Sequence, residues 1–238
     1  MFNKSFYPIR FFRHMHSKLK LPVIDNHAHE PSVFTDTFYR IQSFHIGEEI
    51  PRNTAHTLGI HPLFLKQDTY KKDLHTLKEQ AQQKEVIGIG ECGIDKRKSE
   101  SLDLQLEAFL HQVEIACSIQ KPLIIHCVRA YQEIINILGG TFEHSLPPII
   151  FHGFAKNYQL AKQLIDQGYY LSLGPQILND KHQEMVKNIP IDFIFLETDS
   201  NIEEIEKLYF YLCAVRKMNM LELKRAILKN FNTVYKLP

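Results

Sequence analysis

The chain has 238 residues, of which 44% are hydrophobic and 23% charged, so it can bury a core of ordinary size. Its 28 basic and 27 acidic residues leave a formal net charge of +1. This balance excludes a positive potential over the whole surface that would attract nucleic acid, so any contact with nucleic acid must be local. No apolar run reaches the ~20 residues that a membrane-spanning helix needs.

Residues 1–20 are basic and aromatic and contain no acidic residue. We interpret them as an N-terminal extension to a single domain that covers residues 21–238. Two explanations stay open. The extension reflects an upstream start codon, with Met15 as the natural start, or it is an arm that covers apolar residues such as Ile41 and Phe44.

Apolar segments of strand length and helix-like segments alternate along the rest of the chain. This alternation predicts a parallel sheet, and eight units predict an α/β fold of the (β/α)8 TIM barrel type, with an open doubly wound sheet as the alternative. The predicted strands are 23–25, 39–46, 56–60, 85–91, 122–127, 147–152, 168–174 and 192–198, and the helical stretches include 99–120, 128–139, 156–167 and 180–188.

Five short motifs lie at the ends of these apolar segments, namely IDNHAH (24–29), GECGID (90–95), IIHC (124–127), IIFHGF (149–154) and LETDS (196–200). Because the carboxyl ends of barrel strands share one face, we expect their polar side chains to meet there. Buried histidines and carboxylates need partners, and a metal cluster would provide them for all six residues. The predicted ligands are His27, His29, Glu91, His126, His152 and Asp199.

This ligand set suits two divalent cations. Such a pair can share a hydroxide and hold both the attacking and the leaving oxygen of a phosphoryl displacement. Glu91 or Asp199 can orient the water or accept its proton, so these two are the predicted catalytic residues. Imidazole and carboxylate ligands suit Zn²⁺ or Mn²⁺ at least as well as Mg²⁺, and the metal identity stays open.

Several neighbouring residues are candidates for secondary roles. Glu197 lies two residues before Asp199 on the same strand face, where it would orient a histidine ligand or form a structural ion pair. Lys96, Arg129 and Lys156 follow ligand motifs and would suit phosphate capture, with solvated surface charges as the alternative.

The order D-x-H-x-H, G-I-H-P (59–62), G-E-x-G-I-D, P-x-I-I-H, F-H-G-F and E-T-D resembles the TatD family of metal-dependent hydrolases, within the amidohydrolase superfamily. The resemblance runs from about residue 21 to the end. It implies a distorted TIM barrel that cleaves DNA phosphodiesters, as a deoxyribonuclease of the 3′–5′ exonuclease type. Residues 30–58 are short for this family, so we expect shortened helices after the first two strands.

The same resemblance implies roles for individual residues. His27, His29, Glu91 and Asp199 would hold one ion and Glu91, His126 and His152 the other, with Glu91 as the bridge. His61 would contact a phosphate, with a structural histidine at the rim of the barrel as the alternative. Two alternative functions stay open: hydrolysis of a D-aminoacyl-tRNA ester on the same metals, and a binding protein with a relic site.

The expected partner is DNA or another phosphodiester substrate, and nothing in the sequence indicates a membrane or an obligate protein partner. The four cysteines form no C-x-x-C motif and no disulfide framework, which fits a reducing, cytoplasmic compartment.

Overall fold

The computed structural model describes residues 21–97, 101–140, 142, 144–200 and 205–236, and within them a parallel barrel of eight strands. Each barrel strand pairs with the next one along the chain, which confirms the predicted TIM barrel. The barrel strands are β1 (Val23–Ala28), β3 (Phe38–His45), β4 (His56–Gly59), β5 (Val86–Asp95), β6 (Leu123–Val128), β7 (Ile149–Phe151), β8 (Tyr170–Leu173) and β9 (Ile194–Leu196). A short strand, β2 (Val33–Phe34), pairs antiparallel with the start of β3.

Helices follow the later strands. They are α1 (Tyr70–Gln80), α2 (Leu102–Ile119), α3 (Tyr131–Leu138), α4 (Tyr158–Asp166), α5 (Gln183–Asn188), α6 (Ile205–Arg216) and α7 (Met220–Tyr235). Helices α2 to α5 each lie within one of the four stretches predicted from apolar spacing. Helix α7 begins with a capping box, in which Asn219 and Glu222 satisfy each other's backbone N–H groups. Along the described chain, every helix is too short or too polar to span a bilayer.

The first two barrel strands are followed by short connections. Residues 29–37 contain only the two-residue strand β2, and residues 46–55 contain no helix. This confirms the distortion expected from the short segment 30–58. Ile41 and Phe44 are nevertheless buried. The extension, residues 1–20, lies outside the described residues, so its proposed contact with these side chains stays a prediction.

The barrel closes where β1 meets β9, through few backbone contacts. Ala28 and Asp199 form an isolated parallel bridge. Within the described residues, no ladder of more than this one pair joins β1 and the end of β9. Tyr209 of α6 replaces the missing ladder at Ile24: its hydroxyl accepts a hydrogen bond from Ile24 N (2.9 Å) and donates one to Ile24 O (3.2 Å). A helix therefore satisfies backbone groups that a neighbouring strand would otherwise pair.

Asp25 joins three strands at the seam, the boundary between β1 and β9 at which the barrel closes. Its carboxylate is fully buried and accepts hydrogen bonds from Thr198 N (2.9 Å) and Thr198 Oγ1 (2.8 Å) beside β9, and from Arg40 Nε (2.9 Å) on β3. Burial raises the pKa of Asp25, although the bonds from Thr198 and Arg40 oppose that rise. The acid therefore links the first, second and last strands of the barrel.

Glycines permit the close approach of β5 and β6. A Cβ on Gly93 would lie 2.0 Å from the carbonyl oxygen of His126, and a Cβ on Gly90 would lie 2.3 Å from that of Ile124. Both glycines also have positive φ angles, +139° and +137°, which side chains rarely allow. Glu91 lies between these two contacts, so its position depends on them.

We expect Gly93→Ala to destabilise the fold far more than Gly168→Ala. Gly168 also has a positive φ, of +81°, but a Cβ there would meet nothing within 4 Å, so this variant isolates the backbone cost. That cost is about 1–2 kcal/mol, or roughly 2–8 °C in melting temperature for a domain of this size. Gly93→Ala adds a backbone clash and should exceed about 4 kcal/mol. Thermal unfolding in a chelator measures both, and equal losses would contradict the packing argument.

Candidate metal centre

Six side chains predicted as metal ligands come together at the carboxyl ends of the barrel strands. They come from five strands that all point the same way, so their ends share one mouth of the barrel. They are His27 in β1, His29 just beyond it, Glu91 in β5, His126 in β6, His152 just after β7 and Asp199 just after β9.

Glu91 lies at the centre of this cluster, and its two carboxylate oxygens face different histidines. Oε2 lies 3.4 Å from His27 Nε2 and 3.8 Å from His29 Nε2. Oε1 lies 2.6 Å from both His126 Nδ1 and His152 Nε2. One buried side chain thus contacts two imidazole pairs, as a carboxylate shared between two ion sites would.

Asp199 borders the cluster on the β9 side. Its Oδ1 lies 3.5 Å from His29 Nε2 and 4.0 Å from His27 Nε2. The backbone of Asp199 has a φ of +53°, a left-handed conformation that Asp tolerates better than most residues. Asp199 N donates to His27 O (3.0 Å), and His29 N donates to Asp199 O (3.3 Å). The contacts that close the barrel therefore also fix this carboxylate.

The groups in the cluster shift each other's pKa values. Burial by itself would raise the pKa of Glu91, but the imidazoles of His152, His126 and His27 outweigh it and hold that pKa well below its usual range. Burial opposes a charge on His152, yet Glu91 and Glu197 raise its pKa well above the ordinary value. The pKa of Asp199 falls to about 2 despite burial, with His29 as the largest stabilising partner. The carboxylates of Glu91 and Asp199 are therefore both anionic at neutral pH.

His61 lies against the same cluster, just beyond β4. Its Nε2 is 3.0 Å from Glu91 Oε1 and 3.3 Å from His126 Nδ1. Leu63 N donates to His61 Nδ1 (3.0 Å), which assigns the lone pair of a neutral ring to Nδ1 and the hydrogen to Nε2. Burial lowers the pKa of His61, although Glu91 opposes this. The ring therefore presents an N–H donor to the centre of the site.

Two further carboxylates contact the far sides of ligand imidazoles. Asp95 Oδ2 lies 3.1 Å from His126 Nε2, and Glu197 Oε1 lies 3.5 Å from His152 Nδ1. Both acids are fully buried, and Glu197 also accepts a hydrogen bond from Gly153 N (2.5 Å). Such outer carboxylates fix the tautomer and orientation of a metal-binding histidine.

A cleft of about 470 Å³ opens over the cluster. Of the side chains predicted to bind substrate, His61 lines it. Lys96 instead pairs with Glu133 at the start of α3. Arg129 and Lys156 are exposed, and neither of them lines the cleft. None of these three cations is among the residues that line the cleft, and their part in phosphate capture stays a prediction.

Other residues line the cleft that sequence patterns did not single out. Arg97 reaches it while its guanidinium pairs with Asp95 (2.7 Å), and the ends of β3 and β4 contribute Ser43, His45 and Phe64. The sequence could have indicated Arg97, because this residue lies two positions after the end of the motif GECGID, which contains Glu91. Phe64 lies two residues after the motif G-I-H-P (59–62), whereas Ser43 and His45 follow no motif and only the structure places them at the cleft.

The donor set fits divalent cations. In three groups, ligand-type atoms lie within 4.8 Å of one another: His27, His29 and Glu91; His27, His152 and Asp199; and His61, Glu91 and His126. His27 Nε2 is buried and finds no hydrogen-bond partner in the described chain, although it points toward Glu91 and Asp199. A bound cation would satisfy this nitrogen and the surrounding carboxylates together.

Comparison with known proteins agrees with this arrangement. The family model described as TatD related DNase matches residues 26–236. An uncharacterized metal-dependent hydrolase, YabD of Bacillus subtilis, is 32% identical over 146 residues, which cover 60% of this chain and 56% of the relative. The 3′-5′ ssDNA/RNA exonuclease TatD of Salmonella typhimurium is 31% identical over 125 residues, covering 50% of this chain and 48% of the relative. The matched part thus spans about half the length of these relatives.

Solved structures share the fold. The TatD homologue YJJV from Escherichia coli K12 superposes with a TM-score of 0.67 at 24% identity, over 77% of both chains. A TatD family hydrolase from Entamoeba histolytica gives a TM-score of 0.65 at 17% identity, over 77% of this chain and 75% of the other. The barrel, the convergence of the ligands and the match over most of the sequence agree, and the chain belongs to the TatD family of metal-dependent hydrolases.

Proposed function

We propose that this protein hydrolyses phosphodiester bonds of nucleic acid with two divalent metal ions, as a deoxyribonuclease of the 3′–5′ exonuclease type. The main support for the proposal is that the two carboxylate oxygens of Glu91 face separate histidine pairs. A carboxylate shared in this way is the natural bridge of a two-metal site.

Each side of Glu91 has enough ligands for one ion. On the first side, His27, His29 and Asp199 join Oε2, and on the second, His126 and His152 join Oε1. The rings of His27 and His152 lie 4.5 Å apart, so the two sites would be adjacent. Mg²⁺, Mn²⁺ and Zn²⁺ are the candidate cations, because the ligands combine imidazoles and carboxylates.

The side chains around the site can then perform the remaining steps. Bound divalent ions would lower the pKa of a coordinated water and stabilise charge on the phosphate oxygens. Asp199 is anionic and only partly buried, so it can accept a hydrogen bond from the attacking water and orient it. Glu91 is the second proposed catalytic group, since it lies between the two ligand sets.

His61 is proposed to bind the scissile phosphate. Its Nε2 carries the hydrogen and lies within the cluster, where it can donate to a non-bridging oxygen as negative charge develops. A metal-binding nitrogen must offer a lone pair, and the bond from Leu63 N already uses the one at Nδ1. The geometry therefore favours substrate contact over metal binding for this histidine.

Nucleic acid is proposed as the substrate because of family membership and the name of the Salmonella relative. The proposed catalytic domain covers residues 21–238. Glu197 and Asp95 are proposed to orient His152 and His126. The expected cytoplasmic location remains a prediction, which the four free cysteines fit.

The proposal is tested by turnover of 3′-labelled single-stranded DNA beside a D-aminoacyl-tRNA, with Mg²⁺, Mn²⁺ and Zn²⁺ supplied separately. Metal-dependent release of nucleotides from the 3′ end supports the proposal. Cleavage of the aminoacyl ester alone would assign the site to that reaction instead, and absence of both activities with bound metal would favour a binding protein.

Replacing His126 or Asp199 by Ala should lower metal-dependent turnover at least about 100-fold, because even outer-sphere partners of a metal site affect affinity or activity by that order. His75→Ala is the matched control, since His75 is an exposed histidine on α1. Rates at saturating substrate and melting curves in a chelator are measured together. Near-normal turnover in both ligand variants would show that the assigned roles are wrong.

At subsaturating metal, activity should fall as the pH is lowered and recover when metal is added. Imidazoles bind metal only when neutral, and their ordinary pKa is about 6.5. Because Glu91 and Glu197 raise the pKa of His152 in the metal-free site, competition by protons should begin above that pH and grow as the pH falls. Rate profiles at several metal concentrations measure the effect. An acid loss that no metal concentration repairs would indicate protonation of a catalytic group.

A further inference from the structure

Phe64 is a large apolar side chain that remains 56% exposed at the mouth of the cleft. It follows His61 in a turn in which Phe64 N donates to His61 O (3.0 Å). The turn that positions the N–H donor of His61 therefore also positions the phenyl ring. An exposed aromatic ring directly beside catalytic groups is a feature that substrate contact would explain.

Two imidazoles extend the aromatic surface of Phe64. The ring centroid of His45 lies 5.0 Å from that of Phe64, and the ring centroid of His61 lies 5.5 Å from it, each at an interplanar angle of 49°. The three rings therefore form an aromatic wall on the side of the cleft next to the ends of β3 and β4.

The cleft has room for one nucleotide. Its volume of about 470 Å³ lies in the range of pockets that enclose a single small ligand. A nucleotide placed with its phosphate against His61 would carry its base toward the neighbouring wall. Stacking on an aromatic side chain is the usual way in which proteins hold an unpaired base regardless of its identity.

We propose that Phe64, supported by His45, is a stacking platform for the base of the 3′-terminal nucleotide of a single strand. The inference rests on the proposed nucleic-acid hydrolase function and adds a residue that selects unpaired ends. In a duplex the 3′-terminal base is held by its pairing partner and by stacking on the preceding pair, so it can turn toward the ring only where the end is single-stranded or frayed.

The kinetic test compares two single strands of the same sequence, one ending in a normal 3′ nucleotide and one in a nucleotide without a base. Phe64→Ala should lower kcat/KM on the normal strand about 10-fold, the factor that corresponds to ~1.4 kcal/mol of stacking, and change the abasic strand little. Phe64→Trp should retain the rate. Phe210→Ala is the control, since Phe210 is 65% exposed on α6, away from the cleft lining.

Equal losses on both strands would show that Phe64 only shapes the site, and an unchanged rate on the normal strand would also overturn the platform. A second readout does not depend on hydrolysis. A phosphorothioate-linked strand ending in 2-aminopurine should lose fluorescence on binding to the wild-type chain and to Phe210→Ala, but not to Phe64→Ala.

The two readouts separate failure of the platform from failure of the proposed function. If the wild-type chain cleaves neither strand with any metal, the hydrolase proposal fails, and the fluorescence result alone decides the platform. Absence of quenching in the wild type, or equal quenching in Phe64→Ala, would overturn the platform even if both strands are cleaved.

Discussion

The interaction on which the site depends is the burial of one carboxylate among five imidazoles. Glu91 is only 5% exposed, and an isolated anion in such surroundings would be costly. The histidines that compensate it lie in or just beyond β1, just beyond β4, in β6 and just after β7. The strands of the barrel must therefore hold their registers closely, and the glycines on either side of Glu91 allow β5 and β6 to approach as required. The packing of β5 against β6 and the placement of the side chains around Glu91 thus require the same strand registers.

Much of this arrangement could be predicted from residue order. The ligands follow apolar strand segments, and the rule that barrel strands present their carboxyl ends at one face brings them together without knowledge of the contacts. His27 and His29 illustrate this, because strand alternation alone places both on one side. The short segment 30–58 likewise predicted that the helices after the first two barrel strands would be shortened, and residues 29–37 and 46–55 contain none.

Other features depended on tertiary contacts that no local pattern contains. Lys96 follows a ligand motif, yet Glu133 lies within its reach on another element and pairs with it. Arg97 reaches the cleft because Asp95 holds its guanidinium, a pairing that sequence spacing permits but does not require. Tyr209 completes the hydrogen bonds of β1 from a distance of 185 residues along the chain. Long-range partners of this kind decide which charges face the cleft.

The seam at Asp25 has a consequence for the behaviour of the whole barrel. The Asp25 carboxylate accepts hydrogen bonds from Thr198, which precedes the proposed ligand Asp199, and Asp25 lies two residues before the proposed ligand His27. An opening of the seam would separate ligands on its two sides, and a cation held by both would resist the opening. A cation at the proposed site would therefore couple metal binding to barrel closure, because it would hold the first and last strands together. Local opening at the seam, measured by hydrogen exchange, would then vary with the concentration of free cation.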